Sequence, residues 1–432
     1  MNRETLRSVI LDQHDYKPPV IMERIFQQDM ATLIQSPQII ILMGVRRCGK
    51  STWLHYCRQQ SSEKNYYLNF DDDRLIEFEL DDFQMLFELF IELFGEERTY
   101  FFDEIQNIPG WERFIRRLHD HGYKIYLTGS NANMLSQELG THLTGRYISV
   151  QIYPFSFQEY CQFKGQIYED ITRLTTLNQG LLSRDYQDYL KIGGFPEHIK
   201  NPSRDYLQNL YEGIVYRDIV ARYRLPSDRG IRQLGFYLAS NLGKEITYNS
   251  LSKLLNIPSA NTISDYCGYL ESVYLCFFIS RFSYSLKQQM QSPRKVYFID
   301  LAMADAVGIR YTQDQGRFLE NIVFLELKRK FKSIYFHKDT RECDFVVCDE
   351  GRVSQVLQVC FSMDQSPDTR EREIKGLIEA MEAYHCESGL IITAYDSEEI
   401  MVNISGKEIK VPVIPVFKWL LLSNLMSASV GK

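Results

Sequence analysis

The most constraining feature of this sequence is a glycine-rich segment that directly follows a short, wholly apolar run. The run from Gln38 to Met43 contains consecutive Ile and Leu residues, which predict a buried strand of a parallel sheet. The next segment, GVRRCGKS from Gly44 to Ser51, fits the pattern GxxxxGK[ST], and a helical stretch follows it. Strand, glycine loop and helix in this order predict a loop that wraps around phosphate groups.

The residue types in this loop are those that bind phosphate and Mg²⁺. Glycines let backbone N–H groups turn inward around phosphates, Lys50 can reach the β and γ phosphates, and the Ser51 hydroxyl can bind Mg²⁺. The expected ligands are therefore ATP and Mg²⁺, and the alternative is a chance match in an unrelated strand-turn-helix. The predicted nucleotide-binding residues are Gly44, Val45, Arg46, Arg47, Cys48, Gly49, Lys50, Ser51 and Thr52.

A second apolar run ends in two acids, in the segment TYFFDE from Thr99 to Glu104. We expect Asp103 to hold the metal ion through water and Glu104 to polarise the attacking water as a general base. An acidic pair at a strand end is otherwise an ordinary solvated terminus. The glycine loop upstream favours the catalytic interpretation.

Three further residues are candidates for sensing or stabilising a γ-phosphate. Ser130 and Asn131 follow the next strand, and neighbouring parallel strands end on the same edge of a sheet. Either residue is equally well explained as a turn or helix cap. Arg146 could neutralise charge that develops on the phosphate, in its own chain or in a neighbouring subunit, or it could be a surface charge.

Residues 38–198 also carry an ordered set of segments that resembles a known family. The segments are GVRRCGKST, YFFDEIQNIPGWE, LTGSNANMLS, LTGRY, YPFSFQEY and IGGFPE. They resemble a prokaryotic family of AAA-superfamily ATPases that carry a C-terminal domain of unknown function. The resemblance implies an AAA+ core followed by helices and a winged helix, and it implies the same roles for Lys50, Ser51, Asp103 and Glu104. It also implies a sensor at Ser130 or Asn131 and an arginine finger at Arg146, but it supplies no substrate.

The fold class that we predict is α/β, and 432 residues are enough for several domains. Further parallel strands are expected at Tyr66 to Phe70, Thr99 to Phe102 and Lys124 to Leu127. The predicted domains are a P-loop AAA+ core (1–160), a helical lid and connector (161–240), a winged helix-turn-helix (241–295) and a degenerate nuclease-like α/β domain (296–432).

The predicted helix-turn-helix consists of two helices and a strand. These are Tyr248 to Leu255, Ser259 to Ser272 and Tyr274 to Ile279. The second helix begins with polar residues but carries no Arg or Lys, the residues that DNA readers use for phosphates and guanines. Direct DNA binding and a packing or protein-docking role both remain open.

The C-terminal region resembles the PD-(D/E)xK nuclease fold. The elements that carry the resemblance are a helix at Phe318 to Asn321 and strands at Cys343 to Val347 and Val356 to Cys360. Asp344 stands in the first position and Glu320 offers a further ligand, but Gln358 replaces the acid and Cys360 replaces the Lys. Because an anionic ligand and the stabilising cation are missing, we predict a non-cleaving domain. An α/β domain with two unremarkable acids is the alternative.

The net charge of −7 is unevenly distributed along the chain. Residues 61–120 hold 16 Asp/Glu and 6 Lys/Arg, whereas residues 281–338 hold 11 Lys/Arg and 5 Asp/Glu. A polyanion would prefer the second region, although ordinary solvated faces explain the same bias.

No apolar run reaches the roughly 18 residues that span a bilayer, and nine irregularly spaced cysteines favour reduced thiols. We therefore expect a cytoplasmic protein without a membrane partner.

Three functions fit these patterns. The first is an ATPase that hydrolyses ATP in a homo-oligomer to switch or drive a partner. The second is a nucleic-acid-binding module whose affinity ATP controls, and the third is a regulatory ATPase that binds another protein. Nuclease activity is not expected.

Overall fold

The computed structural model describes residues 1–16, 22, 24–25, 30–130, 143–168, 171, 175–309, 315–364 and 366–427. It divides into two compact units. The first comprises Met1–Pro154 with Ser272–Tyr274, and the second comprises Phe155–Glu271 with Leu275–Lys432. The predicted boundaries at 240 and 295 both fall inside the second unit.

A five-stranded parallel sheet forms the centre of the first unit. Its strands are β1 (Ile39–Met43), β2 (Tyr66–Asn69), β3 (Thr99–Asp103), β4 (Lys124–Gly129) and β5 (Tyr147–Gln151). Their order in the sheet is β2-β3-β4-β1-β5. The first four confirm the strands that the apolar runs predict. The sequence gives no comparable signal for β5, because this edge strand carries the exposed Ser149 and only one fully buried residue, Val150.

Helices cover the sheet of the first unit and bury its aromatic side chains. They are α1 (Arg3–Asp15), α2 (Met30–Gln35), α3 (Lys50–Gln60), α4 (Asp82–Phe94) and α5 (Trp111–Asp120). Phe83 of α4 stacks on Phe114 of α5 at 4.4 Å between ring centroids, and Phe90 stacks on Tyr66 of β2 at 4.8 Å. Burying a side chain such as Phe83 contributes about 1.5–3 kcal/mol, so these contacts fix the strands whose ends carry the predicted site.

The second unit begins with helices, as the scarcity of strand signals predicts. They are α6 (Phe157–Phe163), α7 (Thr176–Ile192), α8 (Pro196–Lys200), α9 (Arg204–Gly213) with a π-helical continuation (Ile214–Ala221), and α10 (Arg229–Ser240). Between α7 and α8, Gly193 has φ 74°, and a Cβ there would lie 2.4 Å from the Asp300 carboxylate. That carboxylate accepts a hydrogen bond from the Gly194 N–H at 2.7 Å. The paired glycines therefore allow the backbone to approach a buried acid.

A small antiparallel sheet and two helices follow α10. The elements are β6 (Glu245–Ile246), α11 (Tyr248–Leu255), α12 (Ala260–Ser272), β7 (Cys276–Ser280), α13 (Leu286–Gln291) and β8 (Arg294–Phe298). β8 lies between β6 and β7. Thr247 caps α11, since its hydroxyl accepts from the Ser250 N–H at 3.2 Å. The predicted boundary at residue 295 cuts through β8, so the regions on its two sides share this strand.

The C-terminal region is built on a six-stranded mixed sheet. Its elements are α14 (Leu301–Val307), α15 (Gln315–Lys330), β9 (Ser333–Lys338), β10 (Glu342–Asp349), β11 (Arg352–Val359), α16 (Pro367–Tyr384), β12 (Gly389–Thr393), β13 (Glu398–Ile404), β14 (Lys407–Pro415) and α17 (Val416–Ser427). The strand order is β13-β14-β12-β11-β10-β9. β9, β10 and β11 form an antiparallel meander, and β11, β12 and β14 are parallel. No helix among the described residues is long and apolar enough to cross a membrane.

Candidate nucleotide-binding site

The glycine loop lies at the carboxyl end of β1, where its backbone packs tightly against the chain that follows β5. A Cβ on Gly44 would lie 2.0 Å from the carbonyl oxygen of Ile152, so only glycine fits there. The same carbonyl accepts a hydrogen bond from the buried Cys48 thiol at 3.2 Å. Burial raises the pKa of this thiol, which therefore remains protonated. Cys48 thus serves here as an anchor of the loop.

The loop ends at a helix terminus that is open to an anion. Arg47 and Gly49 have φ values of 64° and 106°, and Gly49 precedes α3 without a side-chain cap. The first N–H groups of α3 therefore keep their capacity to donate to phosphate oxygens. Arg24 holds the loop from outside, since it donates to the carbonyls of Cys48 at 3.1 Å and Tyr153 at 2.6 Å.

Lys50 points back into the loop. Its side chain is almost completely buried, and its ammonium group donates to the carbonyls of Gly44 at 3.1 Å and Val45 at 3.2 Å. The nearest Glu104 carboxylate oxygen lies 3.6 Å from the same nitrogen. The lysine and the second acid, which are 54 positions apart in the sequence, therefore meet in the fold.

Asp103 and Glu104 lie where β3 ends. Asp103 is 1% exposed, and burial together with the neighbouring Glu104 charge raises the pKa of its carboxyl to about 6. Hydrogen bonds from the Thr128 and Ser51 hydroxyls oppose this rise in pKa. Glu104 has φ 51°, a left-handed conformation that costs a non-glycine residue about 1–3 kcal/mol, and its carboxylate accepts from the Gln106 amide.

Thr128 joins the two acids, and sequence reasoning did not single it out. Its hydroxyl donates to Asp103 and accepts from the Glu104 N–H at 2.8 Å. This contact follows from the strand order, because β4 lies between β3 and the loop strand β1. The signal in the sequence is the polar cluster at the end of β4, to which the predicted sensors Ser130 and Asn131 also belong.

Ser130 is buried, and its hydroxyl oxygen has no hydrogen-bond partner among the described residues. It follows Gly129, which pairs with Met43 immediately before the glycine loop. A hydroxyl in this position can donate to a ligand in the loop. Asn131, the other predicted sensor, lies outside the described residues.

Arg146 lies at the amino ends of the strands, whereas the glycine loop lies at their carboxyl ends. Its carbonyl accepts from the N–H of Ile39, the first residue of β1, and its guanidinium donates to Asp120 at 3.2 Å. Because the strands are parallel, the starts of β1 and β5 lie one strand length away from the glycine loop. Arg146 therefore does not reach the loop of its own chain in this structure.

The residues near the loop fit Mg²⁺ and a nucleotide. Ser51 and Asp103 supply a hydroxyl and a carboxylate, the oxygen donors that Mg²⁺ prefers, and Lys50 supplies a cation for phosphate. Ser51 and Asp103 also border a cavity of about 450 Å³ beside the loop. Its other lining residues are Asp12, Gln13, Tyr16, Thr52, His55, Tyr67, Asn69, Asp71, Asp72 and Arg74.

Several basic residues of 281–338 are buried or form ion pairs. Lys295 and Lys330 are buried. Arg281 pairs with a carboxylate at 3.5 Å, Arg329 at 3.7 Å and Lys338 at 3.6 Å. Five of the ten described Lys and Arg residues of this region are therefore buried or paired with a carboxylate.

The residues that the nuclease resemblance selects also come together. Asp344 on β10 accepts from the Val359 N–H on β11 at 3.0 Å, and Gln358 precedes Val359. Cys360 is buried immediately after β11, where its thiol contacts the Met363 sulfur at 3.4 Å. The thiol therefore packs in the core at the position where the nuclease pattern has a lysine.

Comparisons with known proteins identify two domain families in the chain. An AAA domain model matches residues 36–161, and a domain of unknown function (DUF8612) matches residues 183–313. The uncharacterized protein MJ1544 of Methanocaldococcus jannaschii is 30% identical over 414 residues, covering 92% of this chain and 91% of the relative. An uncharacterized protein of Haemophilus influenzae is 30% identical over 403 residues, covering 89% and 94%.

A solved structure was also matched, the crystal structure of Cdc6p from Pyrobaculum aerophilum. It shares 12% identity with this chain at a TM-score of 0.25, and the match covers 75% of this chain and 98% of that chain.

Proposed function

This chain belongs to the same family as the uncharacterized proteins of Methanocaldococcus jannaschii and Haemophilus influenzae, and its residues 36–161 match an AAA domain. We propose that it is a Mg²⁺-dependent ATPase that switches or drives a partner. The observation that carries the proposal is the arrangement of Lys50, Asp103 and Glu104 around one point at the end of the sheet. Lys50 lies 3.6 Å from Glu104, and Thr128 connects Glu104 to Asp103.

Each residue has a distinct task in this mechanism. Lys50 leaves the carbonyls of Gly44 and Val45 and binds the β and γ phosphates together with the N–H groups at the start of α3. Ser51 and Asp103 hold Mg²⁺, which neutralises phosphate charge when it is bound. Glu104 orients water toward the γ-phosphate and accepts its proton.

Ser130 and Asn131 are proposed to sense the γ-phosphate, and Arg146 is proposed to stabilise the charge that develops on it. The buried hydroxyl of Ser130, which has no hydrogen-bond partner within the described part of the chain, supports a sensor role. Arg146 would act on the γ-phosphate bound by a neighbouring copy of the chain, since in its own chain it lies at the amino ends of the strands, away from the glycine loop. Hydrolysis in this proposal requires a homo-oligomer.

The mechanism is tested by separating nucleotide binding from turnover. Lys50→Ala should weaken ATP binding at least about tenfold, because the phosphates lose a buried cation. Glu104→Gln should keep ATP bound and lower turnover about 10²–10⁴-fold, the usual contribution of a general base. Glu88→Gln, on the exposed face of α4, is the matched control and should leave both unchanged. Equal turnover in Glu104→Gln and the unmodified protein would exclude the mechanism.

The burial or pairing of five of the described Lys and Arg residues of 281–338 favours a protein partner over a nucleic acid. A phosphate backbone requires accessible Lys and Arg, and its binding weakens steeply with salt. We expect ATP turnover to be unchanged by DNA or RNA and to rise with a protein partner from cell extract. Salt-dependent binding of nucleic acid that stimulates turnover would favour the nucleic-acid module instead.

A further inference from the structure

The cavity beside the glycine loop is large enough to hold a ligand of its own. Its volume is about 450 Å³, and it is bordered by α1, the start of α3 and the chain at the end of β2. Sites for small molecules have volumes of roughly 300–1,000 Å³. Two strands, β3 and β4, separate β2 from the loop strand β1, and neighbouring strands lie about 4.8 Å apart. The wall formed by β2 therefore lies well away from the loop.

Negative charge predominates in the lining of this cavity. Its carboxylates are those of Asp12, Asp71, Asp72 and Asp103. Arg74 is the only Lys or Arg among the described residues that line it, and its guanidinium already donates to Asp72 at 2.9 and 3.0 Å and to Asp12 at 2.5 Å. One cation does not neutralise four carboxylates, so the potential in the cavity attracts a further positive charge.

The carboxylates are not arranged as ligands of a metal ion. Within the described parts of the chain, no group of three or more His, Cys, Asp and Glu side chains could hold one. Asp12 belongs to α1, whereas Asp71 and Asp72 follow β2, so the acids approach the cavity from different elements. A cation that pairs with them must extend across the cavity, which indicates an organic group.

A buried imidazole without a hydrogen bond also lines the cavity. His55 of α3 is 5% exposed, and its ring nitrogens have no hydrogen-bond partner among the described residues. Burial and the Arg58 charge lower the pKa of this imidazole to about 4, so it is neutral and one nitrogen can accept a hydrogen bond. Buried polar atoms without a partner are destabilising. The position of His55 in the lining therefore points to a ligand that donates a hydrogen bond.

The acceptors and rings of the cavity suit a guanidinium group. A guanidinium is planar, carries five N–H donors and stacks on aromatic faces, whereas an ammonium group is a compact point charge. The acceptors are spread over α1, α3 and the end of β2 and do not meet at one point. The exposed ring of Tyr16 and the buried ring of Tyr67 lie 5.8 and 4.8 Å from that of His55. Spread acceptors beside aromatic rings favour the planar cation.

We propose that this cavity binds a guanidinium group, carried either by a free arginine-like molecule or by an arginine side chain of another protein chain. The Asp71 carboxylate pairs with its charge, the His55 imidazole accepts one of its N–H groups, and the Tyr16 ring covers its face. Carboxylates hold this group and phosphates do not, which distinguishes it from the role proposed for Arg146.

The bound guanidinium would lie beside the proposed Mg²⁺ site, because Ser51 and Asp103 border the same cavity. Any effect of this ligand on ATP turnover rests on the proposed function, whereas its binding does not. Binding is therefore measured without nucleotide and Mg²⁺. A failure to bind would overturn this inference alone, and a protein that binds the ligand but does not hydrolyse ATP would contradict only the proposed function.

Calorimetric titration of the full-length chain with N-acetylarginine amide tests the proposal. N-acetylcitrulline amide, which has nearly the same shape but no charge, is the control ligand. We expect one molecule of the arginine compound to bind per chain, at least about tenfold more tightly than the citrulline compound, because hydrogen bonds from a charged donor are the stronger ones. Equal affinities, or no binding of either compound, would overturn the proposal.

A third probe distinguishes the two sources of the guanidinium. The blocked tripeptide acetyl-Gly-Arg-Gly-amide carries the same side chain on a longer backbone. Affinity equal to that of N-acetylarginine amide would assign an arginine of a protein chain, since the flanking backbone then fits outside the cavity. Clearly weaker binding of the tripeptide would assign a free small molecule.

Two variants locate the binding site. His55→Phe keeps an aromatic ring and removes the acceptor, and Asp71→Asn removes one charge, so each should weaken binding of N-acetylarginine amide several-fold. Glu77→Gln, an exposed acid outside the cavity, is the matched control and should leave the affinity unchanged. Because Asp71 is exposed, its replacement keeps the test available if His55→Phe does not fold. Unchanged affinity in Asp71→Asn and in any folded His55→Phe protein would place the ligand elsewhere and refute the proposal.

Discussion

Among single residues, Thr128 has the most specific influence on the proposed chemistry. One buried hydroxyl donates to the Asp103 carboxylate and accepts from the backbone of Glu104. Glu104 has a left-handed conformation, so its backbone depends on such outside contacts. Thr128 therefore positions both acids without itself touching the nucleotide.

Replacing Thr128 by valine removes the hydroxyl while keeping the shape of the side chain. The Glu104 N–H and the Asp103 carboxylate then lose a partner in a buried place, which should cost about 1–3 kcal/mol of stability. We expect ATP turnover to fall more than ATP affinity, since the general base is displaced and Lys50 is not. Thr128→Ser keeps the hydroxyl and should retain most of the turnover. Similar turnover in the valine and serine variants would remove Thr128 from the mechanism.

His55 should make stability depend on pH. It is buried on α3 between the rings of Tyr16 and Tyr67, and burial lowers the pKa of its imidazole to about 4. Because this folded-state pKa is below the unfolded value of about 6.5, the contribution of neutral His55 is fully present above pH 6.5 and is lost as the pH falls toward 4.

The stability difference between the unmodified chain and His55→Gln should therefore shrink by up to about 3 kcal/mol between pH 6.5 and 4. The raised pKa of the Asp103 carboxyl makes stability change with pH in the opposite direction. Both proteins contain Asp103, so its contribution cancels in the difference between them. Urea unfolding at several pH values measures the difference. Parallel curves would show that the imidazole titrates alike in the folded and unfolded states.

The residues of the candidate site were predictable to the extent that they are local in the sequence. Lys50 and Ser51 belong to one short loop, and Asp103 and Glu104 end one apolar run. Thr128 and Arg24 act through contacts with distant segments. Such contacts depend on the order of strands in a sheet and on side-chain directions, which periodicity does not determine.

Among the elements, the connection from β1 through the loop to α3 depends on one glycine. Gly44→Ala should destabilise the protein and abolish nucleotide binding, because the new methyl group would overlap the Ile152 carbonyl. Gly180→Ala is a matched control on α7, where no atom lies within 4 Å of the added carbon. It should stabilise the protein by up to about 1 kcal/mol. Thermal unfolding and ATP binding of both variants measure the contrast.

Four strands of the first sheet were predictable because buried parallel strands have continuous apolar runs. β5 escaped prediction because it is an edge strand with exposed polar positions. Short elements of the second unit were also predictable where caps and turns are local, as for α11 and its Thr247 cap. The position of β8 across a predicted domain boundary was not predictable, because β8 pairs with a segment about 50 residues away in the sequence.

On the scale of the whole molecule, the parallel sheet separates two parts of one proposed active site. The glycine loop lies at the carboxyl ends of its strands, and Arg146 lies at their amino ends. A complete site then needs the loop of one copy and the arginine of another. Turnover should increase with protein concentration, as association of subunits demands.

Mixing two inactive variants tests this division. Arg146→Ala chains keep an intact loop, and Glu104→Gln chains keep the arginine. Each variant alone should have at least about tenfold lower turnover, since both groups act on the transition state. A mixture should regain activity at those interfaces where an intact loop meets an intact arginine. If the mixture shows only the average of the two variants, Arg146 does not act between subunits.

The close approach of Gly193 to Asp300 also limits how this protein can evolve. The carboxylate occupies the space that any side chain at position 193 would need. A lineage that loses Asp300 first removes the overlap and leaves only the strain of the positive φ at position 193, whereas a lineage that replaces Gly193 first must pass through an overlapping, more strongly destabilised intermediate. The two positions should therefore be epistatic, and substitutions along a phylogeny should occur at residue 300 before they occur at residue 193.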